Sequence, residues 1–165
     1  MRLPVVAVYD ANVLYAIAVC DCLMWIAVEG LVQARWSAAI HEEWMRNLAL
    51  RRPDLSREQL QRRRRAMETA LPDARVVGYH RHLAALALPD PDDRHVLAAA
   101  ITARASLIVT YNVRDFPAPA LAPFDVEAVH PDEFLTRLYA AAPARVLSDV
   151  RNQRLALKRT DPTPP

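Results

Sequence analysis

The chain has 165 residues, 53% of them hydrophobic and 24% charged, with a formal net charge of +2. That is the size of one ordinary domain, and the apolar share is enough to bury a substantial core, which excludes an intrinsically disordered chain. No run approaches the roughly 18 apolar residues of a membrane span, and the first residues lack a secretory cleavage region, so a cytosolic protein with no membrane association is expected. Cys20 and Cys22 lie two apart in a helical pattern, point in different directions, and are expected to stay reduced. The cationic side chains are twenty arginines against the single Lys158, a skew that genomic base composition alone can produce.

Leu3 to Tyr9, LPVVAVY, is a continuous apolar, β-branched run of the kind that forms a parallel strand covered on both faces. Asp10 follows at once. In open α/β sheets ligands bind beyond the carboxyl ends of strands, so an acid here is placed for chemistry, although a turn or cap role for Asp10 or Asn12 accounts for the same letters. The pattern predicts a helix from Val13 to about Val28, closed by Glu29-Gly30, and a second strand over Leu31–Trp36. Ser37 caps a helix running to about Leu50, whose apolar stripe of Ile40, Trp44, Asn47 and Leu48 includes Glu43 and turns Glu42 toward Met45 and Arg46. Pro53-Asp54 ends that unit. Ser56 to Leu71 predicts a helix in which Arg62, Arg63, Arg64 and Arg65 cover all sides, leaving some of them free to meet phosphates, unless the helix is only a solvated one paired through Glu58 and Glu68. A short strand over Ala74–Val77 and a short helix over Gly78–Leu86 follow. His80 and His82 do not share a helix face, and they are assigned packing or surface roles along with the isolated His41, His95 and His130.

The densest stretch is Leu88 to Pro117, LPDPDDRHVLAAAITARASLIVTYNVRDFP. Asp90 before Pro91 reads as a helix cap, and Asp92 and Asp93 fall in the first turn, where the free N–H groups favour negative charge. Positions three, four and seven beyond Asp93 are Val96, Leu97 and Ala100, so Asp93 points toward the core and Asp92 partly away. Ser106 to Thr110 reads as a buried strand that opens into a loop through Asn112 and Asp115 to Pro117. A last strand over Asp125–Val129, a helix from Pro131 through about Ala142, another over Ala144–Leu157 and a disordered tail, TDPTPP, complete the chain. This alternation predicts an α/β three-layer sandwich with a mainly parallel sheet of four or five strands. The expected division is one domain over residues 1–131 and a helical extension with its tail over 132–165.

Four acids share one description: Asp10 after the first strand, Glu43 inward on a helix, Asp93 inward at a helix start, and Asp115 after a late strand. Together they suggest a negative pocket at one edge of the sheet, which a hard cation such as Mg²⁺ or Mn²⁺ would fill through oxygen ligands and water. Bound metal there could activate a water for in-line attack on a phosphodiester and neutralise the charge that develops.

The pieces VYDANVLY, RWSAAIHEEW, DPDDRHVLAAAI and IVTYNVRDFP, in this order, resemble the four acidic motifs of the PIN-domain nucleases, most closely the VapC-type toxins of bacterial toxin–antitoxin pairs. The similarity spans roughly Val5 to Pro131. It implies a PIN-like fold, with Asp10, Glu43, Asp93 and Asp115 as metal-binding catalytic acids and Asn12, Thr110, Asn112 and Asp92 as supporting or substrate-orienting residues. It also implies Mg²⁺- or Mn²⁺-dependent cleavage of RNA, a cognate antitoxin and a homodimer; Arg62 to Arg65 fit an RNA-facing role beside it, since guanidinium groups contact phosphates bidentately. Many PIN proteins carry aspartate two residues after the threonine; here that residue is Asn112, which leaves Asp115 as the fourth acid. The alternative is a PIN fold kept as a non-catalytic RNA-binding or protein-interaction module. A receiver-type signalling domain would need a lysine near the acids, and a haloacid-dehalogenase-like phosphatase a second aspartate where Asn12 stands.

Overall fold

The computed structural model describes residues 1–160, so the tail from residue 161, expected to be disordered, lies outside the described residues. Five strands, β1 (Val5–Tyr9), β2 (Val32–Ser37), β3 (Arg75–Val76), β4 (Leu107–Val109) and β5 (Glu127–Val129), form one sheet in the order β3-β2-β1-β4-β5. Every pair is parallel, and the helices α1 (Ala11–Tyr15), α2 (Ile17–Val28), α3 (Ala38–Arg51), α4 (Arg57–Ala70), α5 (Arg94–Ala103), α6 (Ala118–Leu121), α7 (Pro131–Ala141) and α8 (Pro143–Thr160) flank it. The α/β sandwich expected from the sequence is the one observed. The chain leaves β1 toward β2 on one side and β4 toward β5 on the other, so the sheet order reverses between β1 and β4. Outside the carboxyl ends of such a pair the departing connections diverge and open a crevice.

The apolar run of β1 is buried along nearly its whole length and β4 along all of it, as strands covered on both faces must be. On α3 the buried stripe is Ile40, His41, Trp44, Met45 and Leu48; Asn47, expected on that stripe, is exposed instead, because the core turns toward His41 and Met45. His41 accepts a hydrogen bond at Nδ1 from Trp44 Nε1 (2.8 Å) and packs edge-on to Trp36. Burial, with help from the Arg64 charge, pulls its pKa down to about 4, so it packs as a neutral ring.

The helix expected from Val13 to Val28 is two helices, broken at Ala16, whose ψ of 97° is extended. A break of this kind leaves the last carbonyls of α1 without helical partners. Arg63 supplies one, donating from Nη2 to the Leu14 carbonyl (2.8 Å) while its guanidinium lies 5.0 Å from the centre of the Trp44 ring. The short helix expected over Gly78–Leu86 is a 3₁₀ turn over Tyr79–Ala85 that starts at a left-handed Gly78. Beyond residue 131 the chain stays with the same core: Phe134 and Leu138 of α7 are fully buried, Phe134 meets Tyr9 edge-on, and α8 adds Val146. Cys20 and Cys22 are both free. Among the described residues no helix is long and apolar enough to cross a membrane.

Candidate active site

Asp10 is the first residue past β1, 3% exposed, and fixed on both oxygens. Oδ1 accepts from the Ala11 N–H (2.7 Å), and Oδ2 accepts from Asn12 Nδ2 (2.7 Å) and from the Thr110 hydroxyl (2.7 Å). Thr110 is the first residue past β4 and fully buried; its Oγ1 also accepts from Asn12 Nδ2 (2.9 Å) and from the Asn112 N–H (3.0 Å). A hydroxyl has one donor and two lone pairs, and all three are in use. Asn12 closes the loop by accepting the Tyr111 N–H at Oδ1 (3.1 Å). The two strand ends on either side of the switch point are thus stitched together around one carboxylate.

The other acids arrive from separate elements. Asp93 ends the 3₁₀ turn Pro91–Asp93 that leads into α5, and α5 starts at the carboxyl edge because it must run back before β4 begins. Asp90 caps that turn, accepting the Asp92 N–H (2.8 Å); it does not cap α5 itself as expected. Glu43 comes from the second turn of α3, and Asp115 from a 3₁₀ turn over Val113–Asp115. A cleft of about 530 Å³ is lined by Glu43, Asp90, Asp92, Asp93, Asn112 and Asp115, with Arg46, Asn47 and His95 among its other walls. Asp92 is exposed at its rim and Asp93 half-buried, as the helical spacing predicted.

Their charges act on one another. Burial lifts the Asp93 pKa to about 7, helped by the nearby carboxylates of Asp10, Asp115, Asp90 and Glu43. Burial also raises Asp10, which the Thr110 hydrogen bond opposes and Glu43 reinforces. Among the described residues none of Asp10, Asp93 and Asp115 has a salt-bridge partner, whereas Glu43 lies 3.2 Å from His95 Nε2. Also among them, no three acidic, histidine or cysteine side chains stand close enough together to enclose an ion by themselves. The donor set nevertheless fits a small hard cation: it is all oxygen, it carries uncompensated negative charge, and Mg²⁺ keeps several of its waters and takes only one or two carboxylates directly.

Two differences from the sequence reading concern basic side chains. His95, assigned a packing or surface role, faces the cleft against Glu43; its place two residues after Asp93, in the first turn of α5, was the available signal. Of the four consecutive arginines, Arg63 is engaged with Leu14 and Trp44, and Arg64 pairs with Glu68 (2.9 Å). Only Arg62 and Arg65 are exposed, and none of the four lines the acid cleft. A larger hollow, about 950 Å³, lies at the opposite edge of the sheet, where Arg137 is already paired with Glu127 and Glu133. It gathers no comparable set of acids.

A family model described as PIN domain matches residues 6–114, well over half of the chain and ending one residue before Asp115. Over 43 residues the chain is 58% identical to "Putative ribonuclease VapC50" of Mycobacterium tuberculosis (strain ATCC 25618 / H37Rv); the match covers 26% of this chain and 25% of that protein. No solved structure matches the chain significantly.

Proposed function

The chain belongs to the PIN domain family, and from that premise we propose that it is a divalent-metal-dependent endoribonuclease, the toxin of a toxin–antitoxin pair. The observation that carries the reading is the meeting of carboxylates from four separate segments at the switch point of the sheet, where burial, helped by the neighbouring carboxylates, lifts Asp93 to about 7. Groups held this close resist ionising together, and a cation relieves them. When bound, Mg²⁺ or Mn²⁺ would lower the pKa of a water and neutralise charge developing on the phosphodiester.

In this reading Asp10, Glu43, Asp93 and Asp115 hold the cation, directly or through water. Thr110 and Asn12 keep Asp10 in one orientation, and His95 keeps Glu43 in place from the opposite wall of the cleft. Asn112 and Asp92, on the cleft wall and rim, orient the substrate. Arg62 and Arg65 are the exposed members of the arginine run and the ones left to meet RNA phosphates. The similarity to a protein named as a ribonuclease of the VapC series supports RNA as substrate and a protein antitoxin as partner. Tyr139, Leu147 and Val150 are exposed large hydrophobics on α7 and α8, surface that suits a protein partner or a second copy of the chain. A cytoplasmic location goes with this reading.

The test pairs binding with turnover. Calorimetric titration with Mn²⁺ is expected to give clear binding by the wild type and little by Asp93→Asn, and Asp10→Asn is expected to abolish metal-dependent RNA cleavage. Negligible Mn²⁺ binding by both proteins, or cleavage unchanged in Asp10→Asn, would sink the proposal.

A further inference from the structure

Next to the acid cleft is a second hollow, of about 390 Å³, lined by Asn12, Tyr15, Asn47, Leu50 and Arg51. Asn47 lines both, so the two adjoin across its side chain. Their chemistry differs. No carboxylate lines the second hollow, and Arg51, the last residue of α3, has no carboxylate partner among the described residues, whereas its neighbour Arg52 is paired with Asp54 (2.7 Å). The Arg51 guanidinium lies 5.7 Å from the centre of the Tyr15 ring. Leu50 beside it is 78% exposed. Asn12 is tied to Asp10, Thr110 and Tyr111, which fixes the position of this hollow relative to the acids.

An aromatic ring, an apolar side chain held in water, a guanidinium without a carboxylate and the amide of Asn47 make the inventory of a nucleotide subsite. The ring and the aliphatic group accept a base face, the guanidinium takes a phosphate, and an amide reads a base edge. We propose that this hollow holds the nucleotide flanking the scissile phosphate, with Tyr15, Leu50 and Arg51 as its contacts. The base lies against Tyr15 and Leu50, and its phosphate meets Arg51. A base inside a duplex has both faces covered by its neighbours and cannot enter. The assignment rests on the ribonuclease reading of the adjoining cleft.

The experiment is fluorescence anisotropy of a short labelled single-stranded RNA, with Mg²⁺ present, on the full chain carrying Asp93→Asn so that the RNA stays whole. Adding Tyr15→Ala is expected to weaken binding about 10-fold and Tyr15→Phe to leave it unchanged. Arg51→Ala should flatten the slope of log K against log salt by about 0.7, and Arg51→Lys should restore it. Leu50→Glu, at a position too exposed to affect folding, should weaken binding as well, and a matching duplex should bind more weakly than the single strand. Wild-type affinity and slope in Tyr15→Ala, Leu50→Glu and Arg51→Ala, or equal binding of duplex, would overturn the subsite. Binding and cleavage separate the two readings. If the wild type cleaves RNA while these variants bind normally, the subsite alone fails; if they lose binding while the wild type cleaves nothing, the hollow binds a nucleotide but flanks no scissile phosphate, and the nuclease reading falls.

Discussion

Asp93 is the residue at which the competing forces of the cleft are easiest to measure. Its carboxyl is raised from 3.8 to about 7 by burial and neighbouring carboxylates. A group whose pKa is higher in the folded state contributes its full stability below the unfolded value, near pH 3.8, and loses it as pH rises through about 7. The metal-free protein therefore carries a cost at pH 8 that Asp93→Asn removes. With chelator present, the variant is expected to melt higher than the wild type at pH 8, with the gap closing toward pH 4. His41 works the other way in the same window, because its lowered pKa of about 4 costs stability as pH falls below 6.5. The difference between variant and wild type, which cancels His41, is therefore the readout. Thr110→Val keeps the volume but removes the donor that orients Asp10, and Mn²⁺ calorimetry should report an affinity lower by about 10- to 100-fold. Helical spacing alone placed Glu43 and Asp93 inward and Asp92 outward; Glu42, turned away by the same count, is exposed but also lines the cleft. The contact of His95 with Glu43 was hidden, since it joins residues 52 positions apart.

Among the elements, α4 shows how a charge run can be divided. Four consecutive arginines cover every side of a helix, so one of them had to point inward; which one, and at what, depended on the break between α1 and α2. Arg63→Ala strips a hydrogen bond from the Leu14 carbonyl and a cation from the Trp44 face, and should cost about 2 kcal/mol by chemical denaturation. It should also leave the salt dependence of RNA binding as it was, whereas a loss of slope would return Arg63 to the RNA-facing set. The break at Ala16 itself was not legible. Nothing in ANVLYAIAVC interrupts an apolar helical pattern, and no glycine or proline marks the site.

At the scale of the whole molecule, the sheet and the helices beyond residue 131 share one core. Phe134 is fully buried against Tyr9, at the far end of the chain from β1, and Phe134→Ala is expected to cost about 3–5 kcal/mol in denaturant titration. A chain ended at residue 131 should then lose cooperative unfolding, because α7 supplies part of the core; a sharp transition in that truncation would show that residues 1–131 fold alone. Periodicity and composition by themselves determined the order of strands and helices, the parallel sheet, and which acids turn inward, since each of these is written in neighbours a few positions apart. Only the tertiary structure decided that β1 and β4 lie side by side, that Glu43, Asp93 and Asp115 share one cleft with the buried Asp10 near enough to act on their charges, that His95 reaches Glu43, and that Tyr15 and Arg51 adjoin it. Those are contacts between distant segments, and they depend on how the connections cross the sheet, which no local pattern encodes.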